Sequence, residues 1–324
     1  MDSSQSSSAL SSSTARPAVA FLGLGAIGTP MAEHVAKTTD LVVWNRTKAK
    51  ADAFAAATGA RVAWTPCDAA CEADIIITCL PSSVEVEQIV IQTDGILEGL
   101  RPNAVLVDCT SGHPAVSQRI AHMVRDKGGF FMDAPVSGGV SGAQAATLTV
   151  MCGGDAAVLE RVRPVLQTFG AKIVLCGGVG CGDALKAVNN ALLALHIWST
   201  GEGLVMLKKM GVDPAVALDV INASSGRSNA SMNLFPERVL TRAFPNTFRL
   251  ALLDKDVRIA ADIAARTETP AALITLAGEL FARAHEHLGE NVDHVAAVKL
   301  LEKLAGDVVI EPGAGETLML DAHT

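Results

Sequence analysis

The chain has 324 residues, of which 49% are hydrophobic and 19% charged, and its formal net charge is −8 at pH 7. That is enough for about two domains with sizeable cores, in a globular rather than a disordered balance. The negative charge excludes a nucleic-acid partner recruited by phosphate neutralisation, and no apolar run reaches the ~18 residues that a membrane span needs.

Residues 1–15 are rich in serine and threonine. Without the hydrophobic core of a secretory signal, they are expected to form a disordered tail. The first β-rich run, Val19–Leu22, meets Gly23-Leu24-Gly25-Ala26-Ile27-Gly28, after which Met31, Ala32 and Val35 recur at helical spacing. This reads as strand, tight turn and helix start. In that context Gly23 permits the turn, Gly25 lets a pyrophosphate approach the backbone, and Gly28 lets the helix pack close to the strand. The free amides and partial positive charge of the helix N-terminus favour a phosphate. Residues 23–28 are therefore candidate dinucleotide contacts.

A second strand, Leu41–Trp44, ends at Asn45-Arg46-Thr47, where a ribose-reading residue belongs. An NAD enzyme usually has an acid at this point. Asn45 removes that charge and Arg46 can grip a 2′-phosphate, so the cofactor expected is NADP, with NAD possible. Further β-rich runs follow at Asp74–Leu80, Ala104–Cys109, Gly129–Ala134, Leu148–Cys152 and Lys172–Cys176, alternating with helical stretches. Several are apolar throughout, as parallel strands covered on both faces must be. The fold class is α/β: a Rossmann-type doubly wound sheet over residues 16–178.

After Gly182 the pattern turns helical. Asp183–Lys209 has no proline, and its apolar residues surround the axis, so it is expected to be buried on all sides, between domains or between subunits. Helices are expected at Asp213–Asn222, Leu250–Arg266, Pro270–His287 and Val292–Ala305, with a possible strand at Asp307–Ile310. An all-α substrate and dimerisation domain over 179–318 follows, joined to the first domain by the long helix and pairing into a homodimer or homotetramer. The seven cysteines, 67, 71, 79, 109, 152, 176 and 181, lack the CxxC or histidine companions of a zinc site. They read as buried free thiols in a reducing compartment, by default the cytoplasm. His285-Glu-His287 and Asp293-His294 read as solvated helix faces, and no metal is expected.

Four segments in order resemble the β-hydroxyacid dehydrogenases, the group around 3-hydroxyisobutyrate dehydrogenase. They are the glycine-rich turn, Asp133-Ala-Pro-Val-Ser137-Gly138-Gly139, Gly180-Cys-Gly182-Asp-Ala-Leu-Lys186-Ala-Val-Asn-Asn190, and Leu253-Asp-Lys255-Asp256. The resemblance implies an NAD(P)-dependent interconversion of a small β-hydroxy acid and its semialdehyde or keto form. It makes Lys186 the general acid/base and Asn190 its partner on the same helix face, four residues on. It assigns Ser137, Gly138 and Gly139, with Asn190, to a small carboxylic-acid substrate. Leu80, Pro81, Ser111 and Lys255 become cofactor contacts, the last closing over the cofactor from the second domain. Gly112 and His113 depart from the family pattern, which leaves the choice of acid open.

Three alternatives share parts of this pattern. Imine reductases have the same architecture but usually replace the catalytic lysine. A 6-phosphogluconate dehydrogenase has a much longer helical domain. A non-catalytic cofactor-binding assembly module of the same descent also loses the lysine.

Overall fold

Apolar, β-branched runs become the strands of a single sheet. In the computed structural model of the chain, residues 16–313 are described. The expected tail, 1–15, and the end of the second domain, 314–318, lie outside the described residues. The strands are β1 (Ala18–Leu22), β2 (Asp40–Trp44), β3 (Arg61–Val62), β4 (Ile75–Thr78), β5 (Val105–Asp108), β6 (Phe130–Asp133), β7 (Val136–Ser137), β8 (Leu148–Gly153) and β9 (Gly170–Gly177). Their order is β3-β2-β1-β4-β5-β6-β8-β7, with β9 also paired to β8. The first six strands in that order are parallel. β8 runs antiparallel to β6 and β7, so the sheet is mixed beyond β6.

Helices cover both faces: α1 (Gly28–Ala36), α2 (Lys48–Thr58), α3 (Pro66–Cys71), α4 (Ser83–Ile91), α5 (Ile96–Gly99), α6 (Pro114–Asp126), α7 (Gly139–Gln144) and α8 (Ala156–Leu166). Alternate residues of β1 feed two cores, Val19 and Phe21 on one face and Ala20 and Leu22 on the other. That is why the central strands read as continuous apolar runs. From β1 the chain steps to β2 and β3 and then returns to β4 on the opposite side. Such a reversal leaves a crevice at the carboxyl ends of the strands, where ligands bind in folds of this kind.

The helical half begins with α9 (Cys181–Lys209), followed by α10 (Pro214–Asn222), α11 (Leu250–Arg266), α12 (Ala272–Leu288) and α13 (Val298–Leu304). It encloses its own core, with Trp198, Phe235 and Phe281 at the centre. The expected strand at Asp307–Ile310 is absent; the segment is irregular and only Ile310 is fully buried. The expected Val292–Ala305 helix divides into a 3₁₀ turn, His294–Ala297, and α13. A π-helix at Ala230–Val239 was not foreseen. Pro236 inside it has no N–H to donate, and the wider i→i+5 ladder accommodates that loss.

Within one chain α9 is buried along one side, while Leu185 and Leu192 are each 47% exposed and Met206 62%. Two expectations about burial need correction. Of the seven free cysteines, Cys109 and Cys152 are buried but Cys71 and Cys181 are exposed. Asp293 and His294 are not solvated, at 1% and 4% exposure. Asp293 accepts hydrogen bonds from the amides of Thr247, Phe248 and Val295, which makes it a structural hub.

Candidate active site

The glycine turn is built by backbone constraints. Gly23 has φ +110°, and a Cβ there would lie 2.3 Å from the Cys79 carbonyl oxygen. At Gly28 a Cβ would fall 2.0 Å from the Gly23 carbonyl oxygen, so only glycine lets α1 start this close to the turn. Gly25 differs: its Cβ position faces open space. Ile27, the N-cap of α1, offers no side-chain cap, although the Thr29 amide is taken by the Gly25 carbonyl and Pro30 has no N–H. This open, uncapped rim fits a dinucleotide pyrophosphate.

Asn45 ties the turn to the end of β2. Its Oδ1 accepts from the Leu24 amide at 3.0 Å, and its Nδ2 donates to the Thr47 carbonyl at 3.0 Å. Arg46 and Thr47 beside it are exposed. On the far side of β1, the Leu80 side chain packs toward Gly23. The Leu80 amide donates to the Thr110 hydroxyl at 3.0 Å, and Pro81 is exposed next to it. The candidate cofactor residues 23–28, 45–47, 80 and 81 thus line one continuous edge.

Lys186 lies on α9, only 8% exposed. Burial lowers its pKa below the ordinary lysine value, the nearby Asp256 carboxylate opposes that shift, and the Lys255 ammonium adds to it. Asn190, one turn further along, donates to Asp256 Oδ2 at 2.6 Å. Asp256 Oδ1 meets Lys255 Nζ at 2.8 Å, and Lys255 also donates to the Ser111 carbonyl. Lys186, Asn190, Asp256, Lys255 and Ser111 therefore form one cluster where α9 and α11 face the loop after β5. A lysine in such a place can exchange a proton with a ligand hydroxyl, because burial makes the neutral amine easier to reach than in a solvated lysine.

Ser137 ends β7 and pairs with Thr149 of β8, a short strand that runs into α7. Gly138 and Gly139 have φ +136° and +65°, backbone states that favour glycine. This segment joins the site through Asp133, four residues before Ser137, rather than through a direct bond to the Lys186 cluster.

Three acids escaped the sequence-based choice of site residues. Asp256 stood inside a quoted segment, but its partner Asn190 is 66 positions away and no local pattern announces the pairing. Asp133 and Asp183 are buried where β6 meets α9. Asp133 accepts from the amides of Gly180 and Asp183 at 2.7 and 2.9 Å. Asp183 accepts from the Gly112 amide at 3.0 Å and the Ser117 hydroxyl at 2.6 Å. The signal lay in Gly180 and Gly182, bare positions that let a carboxylate sit against the helix start. His113 also gains a definite contact: its Nδ1 accepts from the Ala115 amide, so its Nε2–H donates to Asp262 Oδ2 at 2.9 Å, across to α11. A cavity of about 540 Å³ beside this contact is lined by His113, Lys255, Arg258, Asp262 and His285. The larger hollow, about 860 Å³, lies between α11 and α12, away from the glycine turn and Lys186.

Known proteins fit this geometry. A family model described as the NAD-binding domain of 6-phosphogluconate dehydrogenase matches residues 18–178. A second, described as the NAD-binding domain of NADP-dependent 3-hydroxyisobutyrate dehydrogenase, matches 180–301. The 2-(hydroxymethyl)glutarate dehydrogenase of Eubacterium barkeri is 33% identical over 89% of this chain and 96% of its own. The mitochondrial 3-hydroxyisobutyrate dehydrogenase of Homo sapiens is 35% identical over 81% and 80%. Among solved structures, Mycobacterium tuberculosis 3-hydroxyisobutyrate dehydrogenase with L-serine superposes with a TM-score of 0.81, at 31% identity, covering 89% of this chain and 99% of that one. An imine reductase from Myxococcus stipitatus, at 19% identity and a TM-score of 0.61, shares the fold. The chain belongs to the β-hydroxyacid dehydrogenase family, NAD(P)-dependent oxidoreductases that interconvert β-hydroxy acids and their carbonyl forms.

Proposed function

We propose that the protein is an NADP-preferring dehydrogenase of a small β-hydroxy acid of the 3-hydroxyisobutyrate type, with Lys186 as general acid/base. The buried Lys186 beside Asn190 and the Asp256–Lys255 pair carries this reading. Bound at the carboxyl edge of the sheet, the nicotinamide supplies the hydride acceptor, or the donor in the reverse direction. Lys186 takes the substrate hydroxyl proton during oxidation and returns it during reduction. Asn190, its amide already anchored on Asp256, orients the same oxygen. Ser137 and the amides around Gly138 and Gly139 hold the carboxylate. Residues 23–28 take the pyrophosphate and Arg46 the 2′-phosphate. Leu80, Pro81 and Ser111 wall the cofactor, and Lys255 closes over it.

The L-serine in the mycobacterial relative supports the substrate class, since it carries a carboxylate and a β-hydroxyl. We divide the chain into a cofactor domain, 16–178, and a substrate domain, 179–318. The exposed apolar stripe of α9 supports a homodimer or homotetramer, since a solvated row of Leu185, Leu192 and Met206 is costly. Among the described residues no helix is long and apolar enough to cross a membrane. Free thiols favour a reducing compartment, and we assign the cytoplasm.

The test is Lys186→Ala. General acid–base groups contribute roughly 10²–10⁴-fold, so kcat should fall by that much while cofactor Kd stays within about threefold. A variant retaining more than about a tenth of wild-type kcat would make Lys186 a structural residue.

A further inference from the structure

We propose that Asp133 and Asp183 are positioning residues that fix the catalytic helix α9 to the sheet, and so hold Lys186 and Asn190 in register with Ser111 and Ser137. This rests on the acid/base reading of Lys186.

The geometry begins with an N-terminus that cannot cap itself. Gly180, the N-cap of α9, has no side chain, and φ +93° sets it in the left-handed region. The cap comes from another element instead. Asp133, the last residue of β6 and fully buried, presents Oδ1 to the Gly180 amide and Oδ2 to the Asp183 amide. Two N–H donors side by side demand two acceptors side by side, which a carboxylate has and an amide lacks. Asp183 then reaches outward from the first turn. Its oxygens accept from the Gly112 amide and the Ser117 hydroxyl, which anchors the loop carrying Ser111.

Bare positions make room for the Asp133 carboxyl. A Cβ on Gly153 would come within 2.5 Å of Asp133 Oδ1. One on Gly182 would lie 2.2 Å from the Met151 carbonyl oxygen and 2.8 Å from Asp133 Oδ2. Burial pushes Asp133 up to about 6 and Asp183 well above the usual carboxylate range. As filler, such groups would be a poor choice, because desolvated carboxylates oppose folding unless their bonds accomplish something. What they accomplish is geometric. Asp133 heads the segment that ends in Ser137–Gly139, and Asp183 precedes Lys186 by three residues, about one helical turn. A shift of α9 on its seat moves Lys186 relative to both walls of the site.

The experiment uses the full-length enzyme with cofactor and a β-hydroxy acid, and reads kcat, cofactor Kd and the primary deuterium isotope effect. Asp133→Asn places an NH₂ against an N–H donor. Since a misplacement of ~1 Å can cost on the order of a hundredfold in rate, kcat should fall by about that factor. Cofactor Kd should hold within about threefold, and the isotope effect should rise as hydride transfer becomes limiting. Asp183→Ala should also slow turnover, while Asp183→Asn should restore it, because its carbonyl can accept from Gly112 and its NH₂ can donate to Ser117. If Asp133→Asn does not fold, the Asp183 pair decides the matter. The proposal is overturned if Asp133→Asn keeps kcat and isotope effect at wild-type values. It is equally overturned if Asp183→Asn is as slow as Asp183→Ala, or if cofactor affinity and kcat fall in parallel. Lys186→Ala with unimpaired turnover would instead overturn the underlying reading, whatever the two aspartates do.

Discussion

Asn190 donates its side-chain amide to Asp256 at 2.6 Å, and this bond joins the helix of Lys186 to the helix of Lys255. Asp256 also meets Lys255 at 2.8 Å, and Lys255 reaches the Ser111 carbonyl on the nucleotide-binding side. A single buried carboxylate thus links the proposed acid/base, its orienting amide and the residue that crosses between the two halves of the chain.

Asp256→Asn should lower the pH at which Lys186 becomes a base. The carboxylate favours the ammonium, opposing burial and Lys255, so its removal leaves only the two influences that lower the lysine pKa. In the oxidative direction the rising limb of the kcat/KM pH profile should therefore move to lower pH. In the reductive direction, where the ammonium is needed, activity should fail at lower pH than in wild type. An inflection that stays in place, or moves upward, would mean that Asp256 does not act on Lys186.

Arg46→Ala should weaken NADP(H) far more than NAD(H). The guanidinium is exposed at the end of β2, and only a 2′-phosphate offers it a charge-assisted bond. Bonds of that type contribute roughly 1.5–3 kcal/mol, or about 10- to 150-fold in Kd. Equal losses for the two cofactors, or a wild-type preference for NAD, would remove the basis for the NADP assignment.

Local patterns disclosed more than long-range ones. The strand–turn–helix at Val19–Val35 was legible because Gly23 and Gly28 serve contacts within the turn or with the adjoining strand. Lys186 and Asn190 were legible as a pair because helical spacing is fixed. The strand β7 was not, since Val136–Ser137 is only two residues long and takes its identity from pairing with Val150 and Thr149. The burial of Asp293 was hidden for the same reason, as its partners Thr247 and Phe248 lie more than 40 positions away. Similarly, the bond from His113 to Asp262 was hidden because its partner lies 149 positions away. The all-round apolar character of α9 was read correctly, but a sequence does not say which of its sides a single copy covers.

Asp108→Asn should change how stability depends on pH. Burial raises the Asp108 carboxyl to about 6, although bonds from Thr110 and Thr78 pull the other way. An unfolded aspartate titrates near ~3.9. A folded-state pKa above the unfolded one means that the stabilising difference is fully present below ~4 and is lost as pH rises to about 6. Two units correspond to about 3 kcal/mol. Both the Thr78 hydroxyl and the Thr110 amide bond to Oδ1, which an asparagine carbonyl can replace. Denaturant melts of the two proteins should thus diverge in favour of the variant as pH rises from ~4 to ~6, by on the order of 1–3 kcal/mol, and run parallel above that. A difference that is flat with pH would place Asp108 at an ordinary pKa.

The substrate should need a free carboxylate. Ser137 is half-buried at the end of β7, and the exposed Gly138 and Gly139 that follow put two backbone amides in a positive-φ turn beside it. Backbone amides in such an arrangement make an anion-binding concavity, and the Ser137 hydroxyl adds a further donor. Residues 137–139 contain no acidic side chain to receive a cation. A methyl ester brings no charge to these donors, and hydrogen bonds to a charged acceptor are worth roughly 1.5–3 kcal/mol. The kcat/KM of the free β-hydroxy acid should accordingly exceed that of its methyl ester by at least about tenfold. Ser137→Ala removes one donor but neither glycine amide, so the preference should shrink without vanishing, while the pH profile set by Lys186 stays where it is. That last readout separates loss of carboxylate recognition from a general disturbance of the site. If acid and ester turn over equally well, or a simple alcohol is the best substrate, residues 137–139 serve only to connect β7 to α7 and the carboxylate is held elsewhere.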